Sequence, residues 1–290
     1  MTAAAAVGAC WISVSAAPQA VPDIQSVLAR VTERVSDYYR RAQSVVGVQA
    51  STVQPIQWNW SPEGLARTVE SEVRLEAAPA DGGLPEPKWI QTIHRINGRP
   101  PRERDKTDRS GCTDPDTASP EPLAFLLPNH RDEYRFVSLT AGREHDRAAL
   151  IIDFRSANRA NRPELVEDPR GHADCFDWSG PVRTKGRVWV DANTFDVLRV
   201  ERHNEGPVEV RVSWNLQRRY RLPAWIVIDR DYLTVRYKPV DFSEPEEVML
   251  LPASLDALTI VRNGLQSIRR TETFGNYRRF LTTGRMVKDP

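Results

Sequence analysis

An apolar stripe with a spacing of three to four residues follows the first 22 residues of the chain. Charged residues occupy most of the positions between, so the segment predicts an amphipathic helix with one buried face. Pro22 and Asp23 are start signals for this helix, and Gly47 is a stop signal. The stripe consists of Ile24, Val27, Leu28, Val31, Val35, Tyr38 and Ala42.

Beyond Gln54 the pattern changes to short β-branched and aromatic runs separated by Pro, Gly, Asn and Asp, which is typical of a β-sheet protein. In the run from Val69 to Glu76, residues at odd positions are mostly apolar and those at even positions are charged. This alternation predicts a strand with one face in water. The predicted strands are 53–60, 66–76, 88–97, 134–139, 149–155, 186–191, 197–203, 208–215, 225–229, 233–239, 248–257, 258–262 and 269–280.

The connections between these strands carry their own signals. Ala192-Asn193-Thr194 predicts a hairpin turn, and Asp229-Arg230-Asp231 predicts a turn between two further strands. Residues 97–121 and 156–181 are polar and predict two long loops. The apolar run from Leu123 to Leu127 predicts a short buried helix.

Composition narrows the class of protein. The 290 residues include 40 Lys and Arg against 39 Asp and Glu, which gives a net charge of +1. Nucleic-acid-binding proteins normally have a marked basic excess, so nucleic acid is not an expected partner. With 40% hydrophobic and 27% charged residues the chain has the composition of a globular protein. No domain boundary stands out, so we expect one domain over residues 21–290.

Residues 1–20 carry no charge and end in small residues, as secretory signal segments do, although a basic start is missing. Cleavage after Ala17 or Ala20 would fit this interpretation. The segment is too short and too rich in alanine for a transmembrane helix. Cys10, within Val7-Gly8-Ala9-Cys10, loosely matches a lipoprotein signal and is a candidate for lipidation. We therefore expect a periplasmic or secreted protein, outer-membrane-associated if Cys10 is acylated.

The two other cysteines, Cys112 and Cys175, lie in the two predicted loops. In an exported protein the simplest expectation for such a pair is one disulfide, which would tether these loops. The alternative is a metal site formed by Cys112, His172, Asp174 and Cys175. Structural zinc prefers four nitrogen or sulfur ligands, and a carboxylate would have to serve as one here.

The sequence lacks the common catalytic and cofactor-binding motifs. The chain has no phosphate loop, no dinucleotide-binding glycine motif, no nucleophile elbow and no zinc-protease motif. The carboxylate pairs Asp114 with Asp116 and Asp229 with Asp231 have the form of a glycosidase pair. Such pairs arise by chance in a chain with 39 acidic residues. We therefore expect no catalytic residue, no cofactor and no resident metal.

Three segments carry a resemblance to a known group of proteins. They are Gly186–Asp191, Thr194–Glu201 and Leu251–Ser254, the first two forming a hairpin in which a strand ends in Asp and the next carries Arg. Together with an N-terminal helix followed by many strands, this layout resembles the LolA/LolB/RseB-like proteins of the bacterial envelope. The resemblance implies a mainly β (α+β) fold, with a long curved antiparallel sheet forming an incomplete β-barrel around the N-terminal amphipathic helix.

The same resemblance implies a function. The first hypothesis is a non-enzymatic envelope protein that binds a lipid or the acyl chain of a lipoprotein in the half-barrel cavity. The alternatives are a module that recognises or senses an envelope protein partner and, less favoured, a hydrolase. An apolar cavity of roughly 300 Å³ or more between helix and sheet would favour the first hypothesis.

Overall fold

The computed structural model describes residues 23–57, 59–78, 86–102, 123–158, 160, 162–167 and 176–280. These residues form two α-helices, α1 (Ile24–Ala42) and α2 (Trp214–Tyr220), and 3-10 turns at Ala124–Leu126 and Arg131–Glu133. They also form the strands β1 (Val45–Ile56), β2 (Arg67–Ala78), β3 (Glu86–Ile96), β4 (Tyr134–Glu144), β5 (Arg147–Ser156), β6 (Glu164–Glu167), β7 (Phe176–Ser179), β8 (Thr184–Asp191), β9 (Val197–Asn204), β10 (Val208–Arg211), β11 (Trp225–Ser243), β12 (Glu246–Arg262) and β13 (Ser267–Arg279).

Several predicted features lie outside the described residues, and they remain predictions. They are the signal segment 1–20 with Cys10, the pair Cys112 and Cys175, the alternative metal ligands His172 and Asp174, and the carboxylates Asp114 and Asp116.

All the strands belong to one sheet, whose main path runs β3-β2-β1-β13-β12-β11-β9-β8-β5-β4. Neighbours on this path are antiparallel. The short strands β10, β6 and β7 branch from β11, with one parallel bridge between Arg211 and Glu164. Within the described residues β3 and β4 are the two ends of the path and do not pair with each other. The predicted class is confirmed: a mainly β fold with an open antiparallel sheet and an N-terminal helix.

Helix α1 begins where the sequence predicts, because the Asp23 carboxylate accepts a hydrogen bond from the backbone N–H of Ser26 at 3.0 Å. The predicted stop at Gly47 is wrong. Gly47 lies inside β1, where a Cβ atom would come within 2.6 Å of the Tyr277 ring. The helix ends at Ala42, and the chain turns at once into β1. Its buried residues are Val27, Leu28, Val31, Val35, Tyr39 and Ala42.

The strands are longer than predicted, because some expected breaks are bulges. Asp229-Arg230-Asp231 is not a turn but lies within β11, where the register with β12 shifts between Ile228 and Arg230. A bulge accommodates an extra residue without ending a strand. The strand predicted over 208–215 ends early, because Ser213 caps α2 through its hydroxyl. The polar stretch 156–181 contains β6 and β7, which were not predicted as strands.

Helix α1 and the 3-10 turn at Ala124–Leu126 pack on one face of the sheet, which we call the inner face. The opposite face is the outer face. A second, smaller core fills the space between β6, β10, β11 and α2. No helix in the described segments combines the length and the apolar character needed to cross a membrane. The inner core includes Val31, Leu126, Ile152, Phe154, Val188, Val200, Val235 and Leu255.

Candidate functional site

A small cavity lies between α1 and the inner face. The described residues line a cavity of about 40 Å³ there, bordered by Val35, Tyr38, Tyr237 and Met249. Sites for small molecules usually measure roughly 300 to 1,000 Å³. An acyl chain could enter this position only if α1 moved away from the sheet.

The outer face carries a much larger open cleft of about 690 Å³. It lies over β8, β9, β11, β12 and β13, and the segment that follows β1 forms one wall. The apolar part of the lining comes from Ile56, Trp60, Tyr232 and Leu258. The cleft therefore combines an apolar surface with the volume of a ligand site, and we call it the outer cleft. Its other lining residues are Lys185, His203, Asn204, Glu205, Gly206, Asp229, Arg230, Asp256 and Arg269.

Trp60 is held at the cleft by a tight turn. Its backbone N–H donates to the Gln57 carbonyl at 2.9 Å, and the N–H of Gln57 donates to the Ser61 carbonyl at 2.8 Å. Trp60 has a φ of 72°, a left-handed conformation that is uncommon for a bulky residue. Its side chain is 52% exposed, and the Arg230 guanidinium lies 4.9 Å from the ring centroid. The turn thus keeps an indole exposed over the cleft.

The floor of the cleft is fixed by hydrogen bonds. The Tyr232 hydroxyl donates to Glu201 Oε1 at 3.2 Å and accepts from the hydroxyl of Thr234. His203 Nδ1 lies 3.0 Å from the Asn204 carbonyl. Because a carbonyl can only accept, Nδ1 carries the proton of this bond. The Asp231 N–H donates to Asn204 Oδ1 at 2.8 Å. Through this hydrogen bond the buried Asn204 amide links the turn after β9 to the bulge in β11.

The cleft residues belong to a row that crosses the sheet, with one residue from each strand directly opposite the next. The row runs from β4 to β1, and its members from Arg135 to Arg269 line adjoining depressions on the outer face. Its first four members are basic side chains. Its other members are largely apolar or, like Arg269, form an ion pair with a neighbouring carboxylate. In order the members are Arg135, Arg155, Lys185, His203, Tyr232, Leu258, Arg269 and Gln54. We call this the outer row.

The carboxylates of the cleft are already engaged. Asp229 pairs with Arg262 at 2.7 Å, and Asp256 pairs with Arg269 at 3.1 Å. Lys185 forms no ion pair within the described part of the chain. Arg135 and Arg155 also have no carboxylate partner there. The basic half of the outer row thus presents three exposed cations that no carboxylate of the described residues compensates.

Two carboxylates on the inner face, those of Asp231 and Glu272, have raised pKa values. Burial raises the pKa of Asp231, although the charge of Arg202 and a hydrogen bond from Thr259 oppose this shift. Burial also raises the pKa of Glu272, against the opposing effects of Arg270 and hydrogen bonds from neighbouring side chains. Both groups are therefore easier to protonate than an ordinary surface carboxylate.

The residues that the sequence analysis named as candidates lie in different parts of the structure. Asp229 lines the outer cleft, but Asp231 points to the inner face, so the structure does not bring them together as a facing pair. His94 lies on the exposed part of β3, away from the cleft. Among the described residues no group of three His, Cys, Asp or Glu side chains could hold a metal ion. The sequence reasoning missed Trp60, Lys185 and the outer row.

No protein-family profile and no curated protein sequence matches this chain. Among solved structures, it is similar to a LolA superfamily protein from Nitrosomonas europaea, at 9% identity over 89% of this chain and 93% of that one, with a TM-score of 0.36. A DUF1329 family protein from Desulfovibrio piger shows 9% identity over 89% and 94%, with a TM-score of 0.36.

A third similar structure is the MucA/MucB complex of Pseudomonas aeruginosa, at 9% identity over 87% of this chain and 99% of that one, with a TM-score of 0.20. All three TM-scores are below 0.5, so these similarities carry no argument, and the function has to be inferred from the outer cleft.

Proposed function

We propose that this protein is a non-enzymatic binding protein of the cell envelope that takes a lipid or another acyl-chain ligand in the outer cleft. One comparison carries the proposal: the outer cleft has about 690 Å³ beside an apolar surface, whereas the space under α1 has about 40 Å³. A chain lying against Trp60, Tyr232 and Leu258 would remove apolar surface from water on both partners. The outer cleft offers this without any movement of the core.

The envelope location is supported by the uncharged segment 1–20, which we propose is a signal removed on export. The remaining residues 21–290 would form a single domain. A disulfide between Cys112 and Cys175 would fit the oxidising conditions of that compartment.

The absence of catalysis is also part of the proposal. Asp229 and Asp256, the carboxylates most central to the cleft, each pair with an arginine. These ion pairs occupy carboxylate oxygens that a general base would need free to reach a ligand. The arrangement therefore suits binding better than proton transfer.

The proposal can be tested with purified full-length protein in two steps. Native mass spectrometry after gentle purification should detect retained lipid, and a fluorescent fatty acid should bind and be displaced by unlabelled fatty acid. Trp60→Ala should weaken this binding by about tenfold, which corresponds to losing one aromatic contact.

Trp214→Ala is the matched control, because Trp214 is 68% exposed on α2 and does not line the cleft. Urea unfolding of both variants checks that they keep the stability of the parent protein. Absence of any binding, or equal binding by the two variants, would contradict the proposed site.

A peptide partner is the second candidate, and one observation favours it. Strand β4 ends the sheet, and within the described residues it pairs only with β5. Its exposed side chains include Val137, which is 51% exposed. An open strand edge can accept an extended peptide as an additional strand. Val137→Pro would block such pairing, so it should abolish capture of a peptide partner and leave fatty-acid binding intact.

A further inference from the structure

We infer that the basic half of the outer row, Arg135, Arg155 and Lys185, is a subsite for an anionic head group, so that the ligand is a long-chain carboxylate or phosphate. This inference rests on the proposed function, because it assigns the head group of the same ligand whose chain lies in the outer cleft.

The register shows why these cations need a partner. Arg155 lies directly opposite Arg135 on one side and Lys185 on the other. Like charges placed opposite each other across strands destabilise a sheet. All three side chains are exposed and have no carboxylate partner among the described residues. An anion bound among them would relieve the repulsion.

The neighbouring row of the same face is built differently. There Arg187 lies between Asp153 and Glu201, and its Nε donates to Asp153 Oδ1 at 2.7 Å. Hydrogen bonds from Ser138 and Arg187 hold the pKa of Asp153 below its usual value, against the opposing effect of burial. In this neighbouring row, opposite charges therefore face each other across the strands. In the basic half of the outer row, like charges face each other instead.

The acidic groups nearest the subsite do not neutralise it. Glu205 borders it, but its carboxylate pairs with Arg183 at 2.6 Å. Asp153 and Glu201 also border it, and they are held by Arg187 and Arg199 respectively. The remaining cations are thus available to a ligand.

The subsite and the cleft are continuous. Lys185 lines both the outer cleft and the adjoining depression of about 730 Å³, and Arg155 lines that depression and the next, of about 290 Å³. Neighbouring strands lie about 4.8 Å apart, so Lys185 is two strands, or about 10 Å, from Tyr232. A single amphiphile could therefore place its chain on Tyr232 and Leu258 and its head group at Lys185 and Arg155. Arginine is well suited to this role, because its planar guanidinium donates two parallel hydrogen bonds to a carboxylate or phosphate.

The test compares three ligands with the same chain, namely decanoic acid, decyl phosphate and decanol, by calorimetric titration of the full-length protein at pH 8 and low salt. We expect at least one of the two anions to bind about tenfold more tightly than the alcohol, as one charge-assisted contact would give. The preference should shrink in 0.5 M NaCl. Which anion binds more tightly identifies the head group as carboxylate or phosphate.

The double variant Arg135→Gln/Arg155→Gln should lose the preference for anions and keep the affinity for decanol, because neither residue lines the outer cleft. The matched control is Arg74→Gln/Arg278→Gln, which removes the same charge from two exposed, ion-paired arginines on β2 and β13. This control should keep the preference.

The two proposals fail in distinguishable ways. Equal affinity for the alcohol and both anions would overturn the anionic subsite and leave the outer cleft as a chain-binding site. Equal loss of preference in the control variant would also overturn the subsite, because overall charge would then explain the effect. Binding of none of the three ligands would overturn the proposed function itself.

Discussion

Arg155 lies directly opposite Lys185 on the adjacent strands β5 and β8, and neither cation has a carboxylate partner among the described residues. Two residues away along the same strands, Asp153 lies opposite Arg187 and pairs with it at 2.7 Å. The same two strands therefore carry one repulsive and one attractive cross-strand pair. Variants of the two pairs should differ in their effect on the free energy of unfolding.

Replacing Arg155 with Thr should stabilise the protein. The variant removes the repulsion between like charges and introduces a residue that favours strands, so the free energy of unfolding should rise by about 0.2–1 kcal/mol. Urea unfolding at 20 mM and at 1 M NaCl measures this, and the gain should be smaller at high salt. Arg187→Thr is the control, and it should lower stability or leave it unchanged. A loss of stability in Arg155→Thr equal to that of the control would contradict the prediction.

Replacing Leu28 with Ala should lower the free energy of unfolding substantially. Leu28 is 2% exposed on the face of α1 that packs against the sheet. Truncation of a fully buried leucine lowers the free energy of unfolding by about 2–5 kcal/mol. Chemical denaturation provides the measurement, with Ala29→Ser at an exposed helix position as the control. A cost below about 1 kcal/mol would show that α1 packs loosely and that the space beneath it could admit a ligand.

Replacing Gly186 with Ala should also destabilise the fold. A Cβ atom there would lie 2.0 Å from the Glu201 carbonyl oxygen and 2.6 Å from the Phe154 ring. The carbonyl belongs to the paired strand and cannot move without disturbing the sheet, so we expect a loss of about 1–3 kcal/mol. Gly275→Ala, where a Cβ atom meets no atom within 4 Å, is the control and should cost less. Similar thermal unfolding of the two variants would contradict the close approach at Gly186.

Replacing Asp231 with Asn should change the pH dependence of stability. The pKa of Asp231 is raised in the folded protein, so the folded state binds this proton more tightly than the unfolded state does. The contribution of Asp231 to stability is then fully present below about pH 3.9, its usual pKa, and is lost as the pH rises through the folded pKa. Asn cannot ionise and can still accept the hydrogen bond that the Thr259 hydroxyl gives at 3.0 Å.

The variant should therefore be more stable than the parent protein at pH 7 and nearly equal to it at pH 3.5. Unfolding in urea across this range gives the comparison. A variant that is less stable at pH 7 would show that the Asp231 charge is stabilising, contrary to its raised pKa. Asp256→Asn, a carboxylate paired with Arg269 on the outer face, is a useful contrast and should not gain stability at pH 7.

The periodic parts of the fold could be predicted from the sequence. The stripe from Val27 to Ala42 defines α1, and the alternation of Val69, Val73 and Leu75 with charged residues defines a strand with its inner side buried. These patterns arise because each segment is buried on one face. The spacing of apolar residues within the segment is enough to identify that face. The hairpin around Asn193 was also predicted, since local turn residues determine it.

The outer cleft could not be predicted in this way. Arg135, Arg155 and Lys185 are separated by 20 and 30 positions in the chain, and only the strand register places them side by side. Trp60 follows a predicted strand, and its exposure depends on a turn whose left-handed residue is not glycine. A bulge at Arg230 takes the place of the turn expected there. Bulges depend on pairing between strands, which the local sequence does not determine.

Photolabelling tests most directly whether the ligand chain lies in the outer cleft rather than beneath α1. A fatty acid with a photoreactive group near the end of its chain would be crosslinked to the full-length protein, and the labelled peptides identified by mass spectrometry. Labels are predicted on the segments 56–60, 203–206, 229–232 and 256–258, with competition by unlabelled fatty acid. Competable labels confined to α1 and to the inner-face residues of β11 and β12 would contradict the claim and return the ligand to the interior of the half-barrel.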